Sequence, residues 1–539
     1  MARKFFVLGI GGTGMRCIES LIHMCAIGMF DDTDLYLLAL DTDKNNGNFA
    51  RLKAVKDAYL NTKSPEVSGR TSGKDSFFTA NLKYYEFSPN YEQKSTFKDV
   101  FGYGDTHYTD PGKTDLADLV FSKDVEDFNL RHGYRAQTHL GSMMMYHSII
   151  EAAKDPRPNQ LQKYLQELIS ASQSSSPRVF ILGSVFGGTG ASSIPIIPQA
   201  ISEAAATLSN GSADIMKSAY FGSTLLTAYF NFKVPSEAER NDQKIIATSD
   251  KFAMNSQAAM MFYQDDATVK ATYQKFYMMG TPGLDWDPMQ KSSDKVSKTI
   301  TGGEAQKNDS HYIELLAASA ALDFYHTDES VLQTNKENVS ADYVYRSIND
   351  NGKFEFQDFV GQPRAEEFAK KFGMLTIASI LCNNPDYDFV AGLQSKDQRI
   401  DGYEDVNVEQ IRSLKDYFAL FHFKVEDDNT LSEGWLRQIY RSAGQGDKFI
   451  FAPEIFTTEN KKEINKAAWN KKLYKEEGVG KDNIFKTGLG LGDQKFSKFK
   501  DAFVKMNVEG KNSGSDIFTN RLEQVIKQVY DTLVGIYQF

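Results

Sequence analysis

Two short apolar runs in this chain each end in a cluster of glycines, and this pairing narrows the available folds more than any other feature. The first is Lys4-Phe-Phe-Val-Leu-Gly-Ile-Gly-Gly-Thr-Gly14, and the second is Arg178-Val-Phe-Ile-Leu-Gly-Ser-Val-Phe-Gly-Gly-Thr-Gly190. Each predicts a buried strand that stops at glycine and opens into a helix. Glycine admits positive φ and lets a ligand approach backbone amides. A helix N-terminus just beyond the turn adds unpaired N–H groups and partial positive charge. Gly11, Gly12, Thr13 and Gly14 on the first turn are therefore candidate anion-binding positions, as are Gly187, Gly188, Thr189 and Gly190 on the second. The two threonine hydroxyls add donors.

The elements around these turns follow from periodicity. Met15 to Met29 places Cys17, Ile18, Leu21, Ile22 and Cys25 at helical spacing, with Gly28 as a stop. Leu35 to Leu40 predicts a second buried strand ending in Asp41-Thr42-Asp43, which completes a β-α-β unit with parallel strands. Helices are expected over 138–153, 161–169, 194–208, most of 237–263, and 308–325, where Asn308 opens the helix. Strands are expected over 179–182, 219–230 and 276–279, with a serine-rich loop at 170–176. This alternation predicts an α/β fold, a mainly parallel sheet flanked by helices, over a domain at 1–330. Residues 49–130 are polar and lack strong periodicity, which predicts an insertion. Beyond 330, aromatic-rich strands and charged loops predict an α+β C-terminal domain, 331–539. It closes in a helix with Phe518, Leu522, Val525, Val529, Leu533 and Ile536 on one face.

Composition excludes several classes. A net charge of −10, with no stretch that interleaves aromatics with Lys and Arg, argues against a nucleic-acid binder. Cys17, Cys25 and Cys382 are too few and too scattered for a disulfide framework or a zinc site, and are expected as buried free thiols. No run approaches 18 uncharged apolar residues, so no membrane span is expected. With no signal peptide apparent, a cytoplasmic location is expected.

Taken alone, Gly9-x-Gly11-x-x-Gly14 satisfies the dinucleotide fingerprint, and Asp41 ends the next strand where a ribose-binding carboxylate would sit. That points to an NAD(P)-binding oxidoreductase, or else the glycines only make a tight strand-to-helix turn. Neither turn continues into Gly-Lys-Ser/Thr, so a Walker loop is excluded. A Rossmann dehydrogenase has no need of a second Gly-Gly-Thr-Gly at the head of a later helix.

With that second turn the chain resembles the tubulin/FtsZ superfamily, and within it the divergent prokaryotic tubulin-like proteins. Val179 to Ser192 is similar to the signature strand and glycine loop of that family, Leu38 to Asp43 to the strand ending in Asn-Thr-Asp, and Phe221 to Phe230 to the strand after the signature helix, with Glu237 and Arg240 following. The leading glycine of the signature is Phe186 here and the final one is Ser192. The resemblance implies a GTP/GDP site with Mg2+ and self-association into head-to-tail oligomers or filaments. It also implies slow GTP hydrolysis completed by an acid from the next subunit. Protein partners would be reached through the C-terminal domain. A scaffold that keeps the fold without turnover is the remaining alternative.

The other candidates carry two readings each. Asp41, Thr42 and Asp43 border the nucleotide in the resemblance; either acid then holds a sugar hydroxyl or, through water, Mg2+, or it caps the following turn. Arg135 and His139 correspond to a phosphate-sensing loop, or else face solvent and pack at a helix start. Asn308 corresponds to the base-reading residue of the tubulin core helix, or else caps that helix, as does Asp309; Asn255 is its rival. Asp323, Asp328, Glu329 and Glu314 lie near the place of the family's catalytic acid, which stays unassigned.

Overall fold

The computed structural model describes residues 3–30, 33–63, 76–103, 111–134, 137–230, 237, 251–280, 308–347, 362–383, 389–394, 408–425, 431–445, 448–449, 496–511 and 521–537. Its centre is a sheet of seven parallel strands: β1 (Arg3–Ile10), β2 (Thr33–Leu40), β3 (Asn81–Phe87), β4 (Arg178–Leu182), β5 (Tyr220–Leu226), β6 (Tyr273–Gly280) and β7 (Asp342–Ser347). Their spatial order is β3-β2-β1-β4-β5-β6-β7. The chain therefore winds outward from β1 to β3, returns to the middle at β4, and winds the other way. The reversal falls between β1 and β4, which pair from Phe5↔Arg178 to Gly9↔Leu182.

Strand β1 shows why these runs are apolar throughout. Phe5 and Val7 face one core while Phe6, Leu8 and Ile10 face the other, all fully buried. Parallel strands covered on both faces carry this continuous pattern rather than alternation. On the first face lie α1 (Gly11–Ile27) and α2 (Gly47–Thr62). The opposite face is covered by α3 (Thr138–Lys154), α4 (Gln160–Ser174), α5 (Thr189–Ser193), α6 (Ile197–Leu208) and α7 (Phe252–Asp265). Next come α8 (Tyr312–His326), returning to the first face against α1, β4 and β5, and α9 (Glu329–Glu337). A third layer, outside α1, α2 and α8, is built by α10 (Gln362–Asn383), α11 (Val408–Phe421), α12 (Trp435–Ala443), α13 (Phe496–Lys511) and α14 (Arg521–Tyr537).

Three expectations change. The stretch 49–130, expected as an insertion, contributes most of α2 and all of β3 to the central unit; Phe49, Leu52, Val55 and Tyr59 form the buried apolar stripe of α2 among partly exposed lysines. The expected division at 330 does not separate two cores. Strand β7 extends the main sheet beside β6, and Phe372, Phe421, Trp435 and Leu533 share one continuous core with Phe5 and α1. The expected loop at 170–176 is helical to Ser174, because the Ser172 and Ser174 hydroxyls bond back to the carbonyls of Ile169 and Ala171 instead of breaking the turn. The cysteines are free and buried. Among the described residues no helix is long and apolar enough to cross a membrane. Phe518 and Arg240 lie outside the described residues, as does the middle of the helix expected over 237–263.

Candidate functional site

In an open parallel sheet, the crevice beyond the strands' carboxyl ends, where the winding reverses, is the natural ligand position. Both glycine turns open there. β1 passes into α1 without a connecting residue, and Gly11 takes φ +67° to make the turn. Ile10 caps α1 with no side-chain bond, and its first turn contains no acid, so the leading amides are available to an anion. A Cβ on Gly11 would lie 3.4 Å from Thr189 Cβ and 3.7 Å from the Gly190 nitrogen. The two turns, far apart in sequence, are therefore in contact.

The glycines divide into two kinds. Gly14 is needed for packing: a Cβ there would sit 2.6 Å from the Gly9 carbonyl carbon and 2.7 Å from the Leu182 oxygen. Gly190 is the same, with Ser184 O at 2.7 Å. Gly187 is open, meeting only Ser184 Oγ at 3.7 Å, and Gly188 precedes the short helix α5. Thr13 receives a long bond, 3.5 Å, from Arg16 Nη2.

Asp41, Thr42 and Asp43 lie at the carboxyl end of β2, all buried. Asp41 Oδ1 accepts from the Asp43 amide at 3.4 Å and the Thr42 hydroxyl at 3.5 Å, while its Oδ2 is buried without a partner. Burial, and then the neighbouring Asp43, pushes the Asp41 carboxyl up to about 7. Asp43 caps its turn by accepting from Asn45 N at 3.0 Å, so the capping alternative holds for this residue. Gly133, at φ +82°, joins the two sides: a Cβ there would lie 3.4 Å from Thr42 Oγ1 and 4.0 Å from Thr189 Oγ1. Arg135, two residues further on, lies outside the described residues. His139, exposed at the start of α3, stacks on Phe121 with centroids 5.1 Å apart, and partial burial lowers its pKa.

Asn308 does not open the long helix. Helix α8 begins at Tyr312, capped by His311 in a reciprocal box with Glu314. Asn308 instead faces α2: Asn48 Nδ2 donates to its Oδ1 at 3.3 Å, and its backbone N–H donates to Asn48 Oδ1 at 3.1 Å. Arg51 binds its carbonyl at 3.3 Å. Asn308 is 1% exposed, and its Nδ2 has no partner. A Cβ on Gly12 would lie 3.1 Å from Asn48 Nδ2 and 3.6 Å from Asn46 Nδ2, so this amide cluster adjoins the first turn. The rival, Asn255, donates to the Phe186 carbonyl at 3.4 Å.

The candidate acids are engaged elsewhere. Glu314 forms a buried pair with Arg16 at 2.5 Å and accepts from the Tyr229 hydroxyl at 2.7 Å and the His311 amide at 2.9 Å. Burial opposes the charge on Arg16, but Glu314 and Tyr229 outweigh it and raise its pKa, so the guanidinium stays charged. Asp323, near the other end of α8, accepts from Lys275 at 2.8 Å and Tyr277 at 2.6 Å. Asp328 caps α9. Sequence reasoning missed Arg16, Asn46, Asn48, Arg51, Gly133 and Tyr229. Arg16 carried a signal, a lone cation inside an apolar helix; the asparagines carried only their place in the polar run after Asp43.

Among the described residues no cluster of three or more His, Cys, Asp or Glu is placed to hold a metal ion. A magnesium ion would rest mainly on phosphate oxygens, with Asp41 reaching it through water. Comparison with protein-family models, with curated proteins and with solved structures returns no match.

Proposed function

We propose that this chain binds GTP or GDP with Mg2+ in the crevice between β1 and β4, on a fold of the tubulin/FtsZ kind, and that it self-assembles head to tail with slow nucleotide-coupled hydrolysis. One observation carries the reading: two glycine turns touch at the reversal point of the sheet, beside two buried polar atoms without partners, Asp41 Oδ2 and Asn308 Nδ2. A buried unpaired polar group costs roughly 1–3 kcal/mol, so both atoms favour a ligand that supplies the missing bonds. The amides of Gly11 to Thr13 and the Thr189 hydroxyl would hold phosphates. Asp41 would take a sugar hydroxyl or a metal-bound water, and Asn308 would meet the base. Bound Mg2+ would neutralise phosphate charge. Hydrolysis would be completed by an acid of the neighbouring copy, which stays unassigned because Glu314, Asp323 and Asp328 are committed to other bonds in every copy. A heterologous contact of that kind generates an open filament.

A second reading keeps specific support. The order β3-β2-β1-β4-β5-β6 is also that of doubly wound dinucleotide folds, in which the third fingerprint glycine allows close helix–strand packing, as Gly14 does here. Thermal-shift titration with GTP and with NADH separates the two. GTP is expected to raise the melting temperature and NADH to leave it unchanged; the reverse makes the chain a dinucleotide enzyme. Sedimentation is expected to pellet the protein with GTP and leave it soluble with GDP. Equal pelleting would remove nucleotide-coupled assembly.

A further inference from the structure

Which end of the Asn308 amide is left free can be derived from a single backbone group. The N–H of residue 308 is an obligate donor and points at Asn48, so the Asn48 atom that receives it must be the oxygen. The other end of the Asn48 amide is then NH2, and it faces Asn308. A donor there requires the Asn308 oxygen to turn inward. What remains free on Asn308 is Nδ2, buried and unpartnered. Asn48 is itself anchored: it is 2% exposed, lies in the first turn of α2, and its backbone N–H donates to Asn46 Oδ1 at 2.9 Å. Arg51, on the same helix and held by Glu19 at 2.8 Å, also fixes this segment through the 308 carbonyl and the Ser310 hydroxyl.

We propose that Asn48 is a specificity-determining positioning residue: by locking the Asn308 amide with its nitrogen outward, it makes this edge of the site a hydrogen-bond donor that selects a keto oxygen on the base over an exocyclic amine. The inference rests on the nucleotide reading above and deepens it by naming the part of the base that is read. Guanine presents a carbonyl oxygen at C6, where adenine presents an amine. A donor facing the carbonyl is satisfied; facing the amine, it leaves two buried donors unpaired.

The test is equilibrium binding to the full chain, with GTP, ATP and 6-thio-GTP, whose sulfur is a weak acceptor. Wild-type protein is expected to bind GTP ~10-fold or more tightly than either of the others, the scale of one unpaired buried polar group. Two variants reverse the amide. Asn48→Asp keeps the acceptor for the 308 N–H but removes the donor, so that Asn308 turns its NH2 inward and its oxygen outward. Asn308→Asp places an oxygen outside directly. Both are expected to shrink the GTP-to-ATP preference by ~10-fold, whereas a merely structural role would weaken both ligands alike and leave the ratio unchanged. The 6-thio-GTP comparison needs no variant, so it decides the matter even if neither substitution folds. If GTP and 6-thio-GTP bind equally to wild type, or if folded variants keep the wild-type ratio, the donor assignment falls and the nucleotide site stands. Wild-type protein that binds none of the three overturns the nucleotide reading itself.

Discussion

Asp41 holds one carboxylate oxygen in long bonds to its own turn and the other in none, at 3% exposure beside a second acid. Its folded pKa, about 7, lies above the ordinary 3.8, so between these values the folded chain keeps a proton that the unfolded chain has shed. Stability therefore falls as pH rises from about 4 to about 7, and the whole penalty, about 4 kcal/mol, persists above that range. Asp41→Asn removes the titrating group. It is expected to raise the melting temperature at pH 8 and to leave it nearly unchanged at pH 4; the same gain at both pH values would show that burial does not raise this carboxyl. Asp41 was legible in the sequence because the end of a strand is a local feature. Asn48 and Arg16 were not, because what gives them a role is a partner on another element.

At the scale of elements, the glycine turns combine two physical demands that look alike in sequence. Gly9 and Gly14 let α1 cross β1 closely: a Cβ on Gly9 would meet Ile18 Cδ1 at 2.4 Å, and one on Gly14 would strike backbone on two sides. Gly187 has room around it. Gly14→Ala is therefore expected to cost roughly 2 kcal/mol or more through overpacking against atoms that cannot yield, while Gly187→Ala stays within about 0.5 kcal/mol. Urea denaturation of the two variants measures the difference, and similar losses would contradict this division of roles. Helix α8 is a case where pattern misplaced a boundary. Its apolar run was visible, but the start expected at Asn308 moves to Tyr312, because the reciprocal bonds between His311 and Glu314 set the true cap. Helix α2 was hidden by the polar residues that separate its large buried apolar ones, Phe49, Leu52, Val55 and Tyr59.

Across the whole molecule, the C-terminal helices complete the first core rather than building another. Trp435 is fully buried, packs at a tilt against His23 at 4.6 Å, stacks on Phe421 at 5.8 Å, and donates its indole N–H to Ser20 Oγ at 3.0 Å. Lys371 reaches the carboxyl end of α1 through the Gly28 carbonyl at 2.9 Å. Trp435→Ala is expected to cost about 3–5 kcal/mol and to lower the main calorimetric transition; a new, earlier transition in its place would mean that the C-terminal helices unfold on their own. The amino-acid sequence alone determined strands β1, β2, β4, β5 and β6, the two glycine turns, the acid at the end of β2 and the α/β class. Apolar runs, helical spacing and glycine's access to positive φ all act over a few residues. Only the tertiary structure decided that α2, β3 and β7 belong to the central unit and that Gly11 touches Thr189. It alone placed Asn48 against Asn308 across 260 positions and Arg16 against Glu314 across 298. These meetings depend on strand order and on which face each helix covers, and a pattern local to one segment contains neither.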